Sequence, residues 1–463
     1  MAKSYDTTLF IFRRDLRLED NSALIDALTN SERVIPCFIF DPRLLEQSRP
    51  HLNAIRFLFF ALQDLDAHLQ QQGTQLHCLS GPVEIVLESI LASNGLDAVF
   101  VNRDYSPFSR RRDAKIQILC EQASVVFQQF ADALLNEPES IMKADGTPYK
   151  VFTPFFNKAR QNLVAPPKTN QFRNYGTLEN KEFQILTTAL RKQSLIHKTP
   201  MFVKASRATC QTILDKVEIY RDYSNTRDLP SIHGTTRLSP YLKFGLCSIR
   251  EAYAAISTQL GAAHPLIRQL YWRDFYTHIA YNFPQVFTRA FKPRFEQIRW
   301  NYDRVLFQTW CKGRTGFPIV DAGMRELVAS GWMHNRVRMI VASFLTKDLH
   351  IDWRWGERFF AKHLVDYDPA VNNGNWQWSA STGADAQPYF RIFNPWRQQE
   401  KFDRGCTYIK QWIPELSDIE PRNIHRWYKP TPWDSKTNYP KPIVDHKTES
   451  QLSKQLYAST FQP

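Results

Sequence analysis

Three short runs of this chain, and three scattered tryptophans, combine residue types that chemistry uses. Gly234-Thr235-Thr236-Arg237-Leu238-Ser239-Pro240 sets three hydroxyls, backbone N–H groups and a guanidinium just ahead of a helical pattern. Such a set suits a phosphate, though an ordinary helix N-cap uses the same residue types. Asp366-Tyr367-Asp368 followed by Asn372-Asn373-Gly374-Asn375 offers carboxylates and amides that can hydrogen-bond a polar heterocycle or simply form an Asx-rich turn. No carboxylate or histidine cluster stands close by in sequence, so no metal is expected there. In the run 332–339, Asn335 and Met339 share a helix face, with Arg338 beside them and Arg336 displaced. One turn thus presents an amide, a soft apolar surface and cations. Trp300, Trp353 and Trp376 sit on separate elements. Tryptophan is among the side chains most easily oxidised, so a line of them could conduct an electron, and core packing uses them equally well.

The elements that must position these residues divide the chain. Apolar runs at 7–12, 34–40, 75–79, 98–101 and 125–130 read as buried strands, alternating with amphipathic helices such as 52–71. That rhythm predicts a parallel sheet flanked by helices over residues 1–130. No GxGxxG or Walker loop follows the first strand. Residues 131–204 are proline-punctuated and read as an interdomain connection. From 205 to 463 helical periodicity dominates, at 248–259, 266–281, 319–330, 334–346 and 355–363, which predicts a large all-helical domain. The breaks at 372–375 and 393–395 read as loops lining a cavity.

Composition separates the halves further. Residues 1–200 carry 23 Lys+Arg against 22 Asp+Glu, and residues 201–463 carry 36 against 24. All twelve tryptophans lie between Trp272 and Trp433. A basic, Trp-rich half suits a polyanion, while the neutral half does another job. The seven scattered cysteines never show CxxC spacing, so free thiols in a reducing compartment are expected. No apolar run reaches membrane-spanning length and the N-terminus shows no targeting pattern, so a cytoplasmic protein without a membrane partner is expected.

Nearly the whole chain resembles the photolyase/cryptochrome flavoproteins, and within them the class I cyclobutane pyrimidine dimer photolyases. The resemblance rests on the runs at 10–21, 149–155, 235–239, 271–276, 313–325, 331–339, 366–368, 372–383 and 388–395, in one consistent order. It implies an α/β antenna domain and a helical domain that binds FAD folded into a U. In it, blue light drives an electron from reduced FAD to a dimer flipped out of duplex DNA. It further implies that Tyr223, Thr235, Thr236, Arg237, Leu238 and Ser239 hold the FAD diphosphate region. Gln269, Arg273, Asn335, Arg338, Asp366, Asp368 and Asn372 join them as cofactor contacts, with Asn372 facing flavin N5. Plant cryptochromes carry Asp at that position, so Asn372 favours repair over signalling.

By the same resemblance, Trp376, Trp353 and Trp300 form a photoreduction chain running outward from the flavin. Trp272 and Trp378 stack on the dimer, and Arg273, Arg336 and Arg391 lie near DNA phosphates. Gln269 stands where class I enzymes carry Glu, a feature shared with (6-4) photolyases. The catalytic His pair of those enzymes would fall at Asn335 and Met339, neither of which shuttles a proton. The expected function is therefore dimer repair by a monomer acting on UV-damaged DNA, with a cryptochrome-type photoreceptor as the alternative and a (6-4) photolyase behind it. Folate-binding members carry Asn-Glu where this chain has Phe108-Ser109, so a deazaflavin or FMN antenna is favoured over folate.

Overall fold

The computed structural model describes residues 3–43, 52–93, 95–179, 203–430 and 437–461. Its contacts separate two compact units: residues 1–221 with 237–282, and residues 222–236 with 283–463. Part of the proline-rich connection (residues 180–202) and Trp433 lie outside the described residues.

The first unit is built on five strands, β1 (Tyr5–Phe12), β2 (Ser31–Phe40), β3 (His77–Ser80), β4 (Ala98–Asn102) and β5 (Val126–Phe130). They pair in the order β3-β2-β1-β4-β5, parallel throughout, with Leu9 opposite both Ile35 and Val99. Every expected strand is present within a few residues of its sequence-read bounds: β1, β2 and β4 are largely buried runs of Val, Ile and Phe, whereas β5, expected to be buried, is an edge strand with Val126, Gln128 and Gln129 exposed. Helices α1 (Ser22–Asn30), α2 (Leu52–Gln70), α3 (Val83–Ser93) and α4 (Pro107–Gln122) cover them. One apolar core runs through Leu9, Ile35, Val99, Val86, Leu87 and Ile116.

At the switch point between β1 and β4, where open α/β sheets usually leave a crevice, the chain fills the corner itself. Asn102 Nδ2 donates to Asp15 Oδ2 at 2.6 Å and to Asn21 Oδ1 at 2.7 Å. Burial pushes the Asp15 carboxyl up, against the hydrogen bonds it accepts.

The connection yields structure that its prolines did not suggest. Residues 174–176 run beside β2, where Val34 N–H donates to Asn174 O and Gly176 N–H to Val34 O. Helix α5 (Phe152–Ala159) carries Pro154 within its first turn, where a missing N–H costs nothing, and buries Phe152, Phe155 and Ala159. Helices α6 (Arg207–Asp215), α7 (Ser239–Phe244), α8 (Ile249–Leu260) and α9 (Pro265–Asn282) complete this unit. Asp132 ties its pieces together. Its carboxylate accepts from Arg17 at 2.6 Å and from Arg250 at 2.8 Å, and Arg250 also reaches Asp20 at 2.9 Å. Burial alone would raise Asp132, but the two guanidiniums outweigh it and hold the carboxyl below the usual carboxylate range.

The second unit is helical: α10 (Arg304–Cys311), α11 (Pro318–Ser330), α12 (Asn335–Lys347), α13 (Trp353–His363), α14 (Pro369–Ser379), α15 (Pro395–Phe402), α16 (Thr407–Trp412) and α17 (His446–Ala458). One expectation is overturned here. Residues 372–375 are not a loop but the middle of α14. Asp368 caps that helix by accepting from Val371 N–H at 3.0 Å, and Pro369 opens it. The weak helix formers are then held by tertiary bonds: Asn373 Nδ2 donates to Val286 O at 3.0 Å and Gln377 Nε2 to the same oxygen at 2.9 Å. Tertiary context overrides propensity at this point. Of the expected loop 393–395, residues 393 and 394 are irregular, and Asn394 caps α15, which Pro395 opens.

Replacing Asp132 with Ala leaves Arg17 and Arg250 without their buried counter-ion. Urea unfolding should show a loss of about 3–5 kcal/mol, since removing one member of a buried pair strands the other. A loss under 1 kcal/mol would show that water reaches this cluster.

Candidate functional site

The predicted site residues fall in both units. In the first, α9 carries three of them. Gln269 and Trp272 are half-buried on α9, and the Trp272 ring lies flat on Phe152, centroids 3.6 Å apart and planes within 5°. Arg273 donates through Nη1 to Ala133 O. The next residue, Asp274, anchors the helix: its Oδ2 accepts from Asn136 N–H at 3.0 Å, and its Oδ1 is buried without a hydrogen bond. Burial pushes the Asp274 carboxyl up to about 7, against the pull of Arg273 and the amides of Asn136 and Leu135. One turn on, His278 Nδ1 lies 3.3 Å from Pro138 O, and burial brings its imidazole down to about 4. Arg237, Leu238 and Ser239 also belong to this unit. Arg237 holds a left-handed backbone conformation, φ +52°, and no side chain caps α7.

In the second unit, Gly234, just before Thr235 and Thr236, packs against Thr226 at the end of the turn that Tyr223 opens. A Cβ at Gly234 would stand 2.5 Å from Thr226 O, so only glycine lets the threonine run pass against the turn Tyr223–Thr226. The Thr235 side chain is half-buried without a hydrogen-bond partner among the described residues.

Helix α12 opens with the amide and thioether that its periodicity placed on one face: Asn335 Nδ2 lies 3.7 Å from Met339 Sδ. Arg338 donates to both Asp366 oxygens, at 3.2 and 2.9 Å, and to Met333 O at 2.7 Å. Arg336 turns away, pairing with Asp228 at 2.9 Å and lying 4.4 Å over the Phe402 ring. Asn372 is buried, and its Nδ2 donates to Glu357 Oε1 at 2.8 Å and Glu357 O at 3.2 Å. That contact orients the amide and leaves its oxygen for another donor. Burial raises the Glu357 carboxyl, and the Asn372 bond opposes the shift.

Trp376, Trp353 and Trp300 share one buried core cluster. Gly356 lets α13 meet α14, since a Cβ there would fall inside the Trp376 indole. Asn301 bridges Ile351, which brings Trp300 and Trp353 onto neighbouring backbone segments. Trp378, also on α14, faces a shallow cleft with Met339, Ser343, Ser379, Gln387, Arg391 and Phe393. Arg391 is exposed at this cleft, and Gln387 Oε1 is buried without a hydrogen bond. Gln387 escaped the sequence reading. It lies one residue before the 388–395 run, and no spacing marks a lone glutamine as an orphaned acceptor.

In the second unit the donor set suits a flat polar heterocycle: an oriented amide and a paired arginine for ring edges, and buried indoles for packing. Among the described residues no cluster of three or more His, Cys, Asp or Glu side chains is placed to hold a metal ion. All seven cysteines are buried free thiols.

Comparison with known proteins agrees with this chemistry. Residues 266–459 match the model for the FAD binding domain of DNA photolyase, and residues 8–171 match the DNA photolyase model. A Synechococcus sp. deoxyribodipyrimidine photo-lyase is 38% identical, over 97% of this chain and 96% of its own. An archaeal photolyase from Sulfolobus tokodaii, whose structure holds two FAD molecules, superposes with a TM-score of 0.88 at 41% identity, covering 98% of this chain and all of its own. A Synechocystis sp. cryptochrome superposes equally well, TM-score 0.89 at 25% identity, covering 98% of this chain and 100% of its own. The fold alone does not separate repair from photoreception.

The Asp274 carboxyl, raised above its unfolded value near 4, stabilises the first unit fully below that value, and the stability drains as pH rises through about 7. Denaturation midpoints between pH 5 and 8 should fall with rising pH, and Asp274→Asn should flatten that slope. An unchanged slope would place the titration elsewhere.

Proposed function

Because the chain belongs to the photolyase/cryptochrome family, with curated deoxyribodipyrimidine photo-lyases among its relatives, we propose that it splits cyclobutane pyrimidine dimers in DNA under blue light. FAD, when bound, supplies the light-excited electron. The observation that carries the reading is the group of side chains beside Trp378 on α14, around a surface depression too shallow to enclose a ring. Trp378 offers an aromatic wall, Gln387 a buried acceptor with no bond, and Arg391 an exposed cation at the rim. A pyrimidine turned out of the duplex needs those three: a stacking surface, a partner for its ring N–H and a counter-charge for its phosphate.

The remaining roles follow from each residue's surroundings. In the second unit, Tyr223, Thr235 and Thr236 hold phosphate oxygens. Asn335, Arg338, Asp366 and Asp368 surround the flavin, and Asn372 presents its amide oxygen to flavin N5. Met339 supplies apolar contact beside Asn335. In the first unit, Arg237, Leu238 and Ser239 are diphosphate contacts, and Trp272 stacks on the lesion. Gln269 hydrogen-bonds the thymine edge through its neutral amide, and Arg273 serves both cofactor and DNA. Trp376, Trp353 and Trp300 relay electrons inward to the cofactor. Arg336 reaches DNA phosphate once it exchanges Asp228 for it.

Residues 1–130 act as the antenna domain, 131–204 as the connection and 205–463 as the catalytic domain. A deazaflavin or FMN serves as antenna in place of folate. The protein acts as a cytoplasmic monomer, and no helix among the described residues is long and apolar enough to cross a membrane.

The purified protein should show flavin absorption and, once reduced and illuminated, should restore intact thymines in an oligonucleotide bearing one dimer. Bound flavin without loss of dimers in light would move the assignment to a photoreceptor. Gln269→Glu should raise the repair yield per absorbed photon, because an acid donor can stabilise the extra electron on the lesion better than an amide. Equal or lower yield would remove Gln269 from that role.

A further inference from the structure

Behind Trp272 the first unit carries an alternation of rings and guanidiniums. Phe152 lies against the Trp272 ring and stacks in turn near Phe156, centroids 5.8 Å apart and planes within 17°. Arg268, one turn before Trp272 on α9, bridges the two phenylalanines. Its guanidinium carbon stands 4.9 Å from the Phe152 centroid and 5.1 Å from that of Phe156. Arg160, just past α5, lies 5.5 Å from the Phe156 centroid. Both arginines are exposed, and among the described residues neither has an ion-pair partner. Among the described residues the only polar contact of the Arg268 side chain is a long one, Nη2 to Thr153 Oγ1 at 3.5 Å.

A free surface arginine usually samples many rotamers, and immobilising it on a ligand costs entropy. A guanidinium laid on a ring is held in place while its in-plane N–H donors still face solvent. Two such cations, fixed in a row that begins at Trp272, suit a row of phosphates leading away from the stacked base. The residues expected to touch phosphate are more engaged within the protein: Arg273 bonds Ala133 O and Arg336 is paired with Asp228.

We propose that Arg268 and Arg160, oriented by Phe152 and Phe156, bind consecutive DNA backbone phosphates flanking the lesion. This rests on the DNA-repair reading above and adds a phosphate track to it. The track reads no sequence, since phosphate contacts position the duplex and base contacts specify it.

The test is the salt dependence of DNA binding by the flavin-loaded protein in the dark, on duplexes with and without a single dimer. Removing one arginine–phosphate pair should reduce the slope of log K against log salt by about 0.9. Arg268→Ala and Arg160→Ala should each do so, and the double variant should show about twice that reduction, equally on both duplexes. Arg268→Lys should keep the slope. Arg422→Ala, which removes an exposed arginine paired with Glu420, controls for net charge and should leave it unchanged. A double variant with the wild-type slope overturns the proposal, as does a reduction matched by Arg422→Ala or confined to dimer-bearing DNA. Melting temperature and flavin content, unchanged in the double variant, exclude misfolding. Should the wild type bind neither duplex, the repair reading itself falls.

Discussion

A charge taken out of water must find its counter-charge inside the protein, and in the first unit Asp132 supplies it. Its two oxygens face Arg17, in the loop after β1, and Arg250, near the start of α8. Either arginine buried alone would be costly by several kcal/mol. Around one carboxylate they become mutually dependent, and Asp20 and the Gly245 carbonyl take further donors. The loop after β1, the start of the connection and the segment 245–250 are therefore ordered together or not at all. That explains why residues 237–282, helical and distant in sequence, cluster with the sheet.

The second unit meets a different demand. Its core is unusually aromatic, and the same indoles proposed to carry electrons also fill it. Trp376 packs edge-on against Phe360, with centroids 5.0 Å apart, and near Trp310 at 6.2 Å. Interiors are close-packed, so a relay of tryptophans needs no special architecture beyond a core in which consecutive rings approach one another. Gly356 is the concession that allows it, giving up a side chain so that α13 and α14 can meet at the Trp376 ring. The proposed relay and the packing use the same atoms, which is why neither composition nor burial could assign these residues to one role.

Much of the fold was legible from periodicity. Five apolar runs became five parallel strands, of which β1, β2 and β4 are largely buried while β5 lies mostly exposed at the sheet edge. Helices α8, α9, α11 and α12 lie within a few residues of where their apolar faces placed them. The reading failed at 372–375, where asparagine and glycine point to a turn. An aspartate cap, a proline at the first position and carbonyl acceptors from another segment made a helix of it. It also passed over α5, whose proline looked like a breaker but stands where a helix tolerates one.

By itself, the sequence determined which residue types stand at which turn of which element. From that follow the parallel sheet, the shared face of Asn335 and Met339, and the family to which the motifs belong. Only the tertiary structure decided what each side chain does once neighbours compete for it. It turned Arg336 toward Asp228 and Arg338 toward Asp366, set the Asn372 amide by Glu357, and left Gln387 without a partner. The reason is physical: periodicity is local and survives in one dimension, whereas a hydrogen bond or a ring contact depends on which distant segment arrives within a few ångströms.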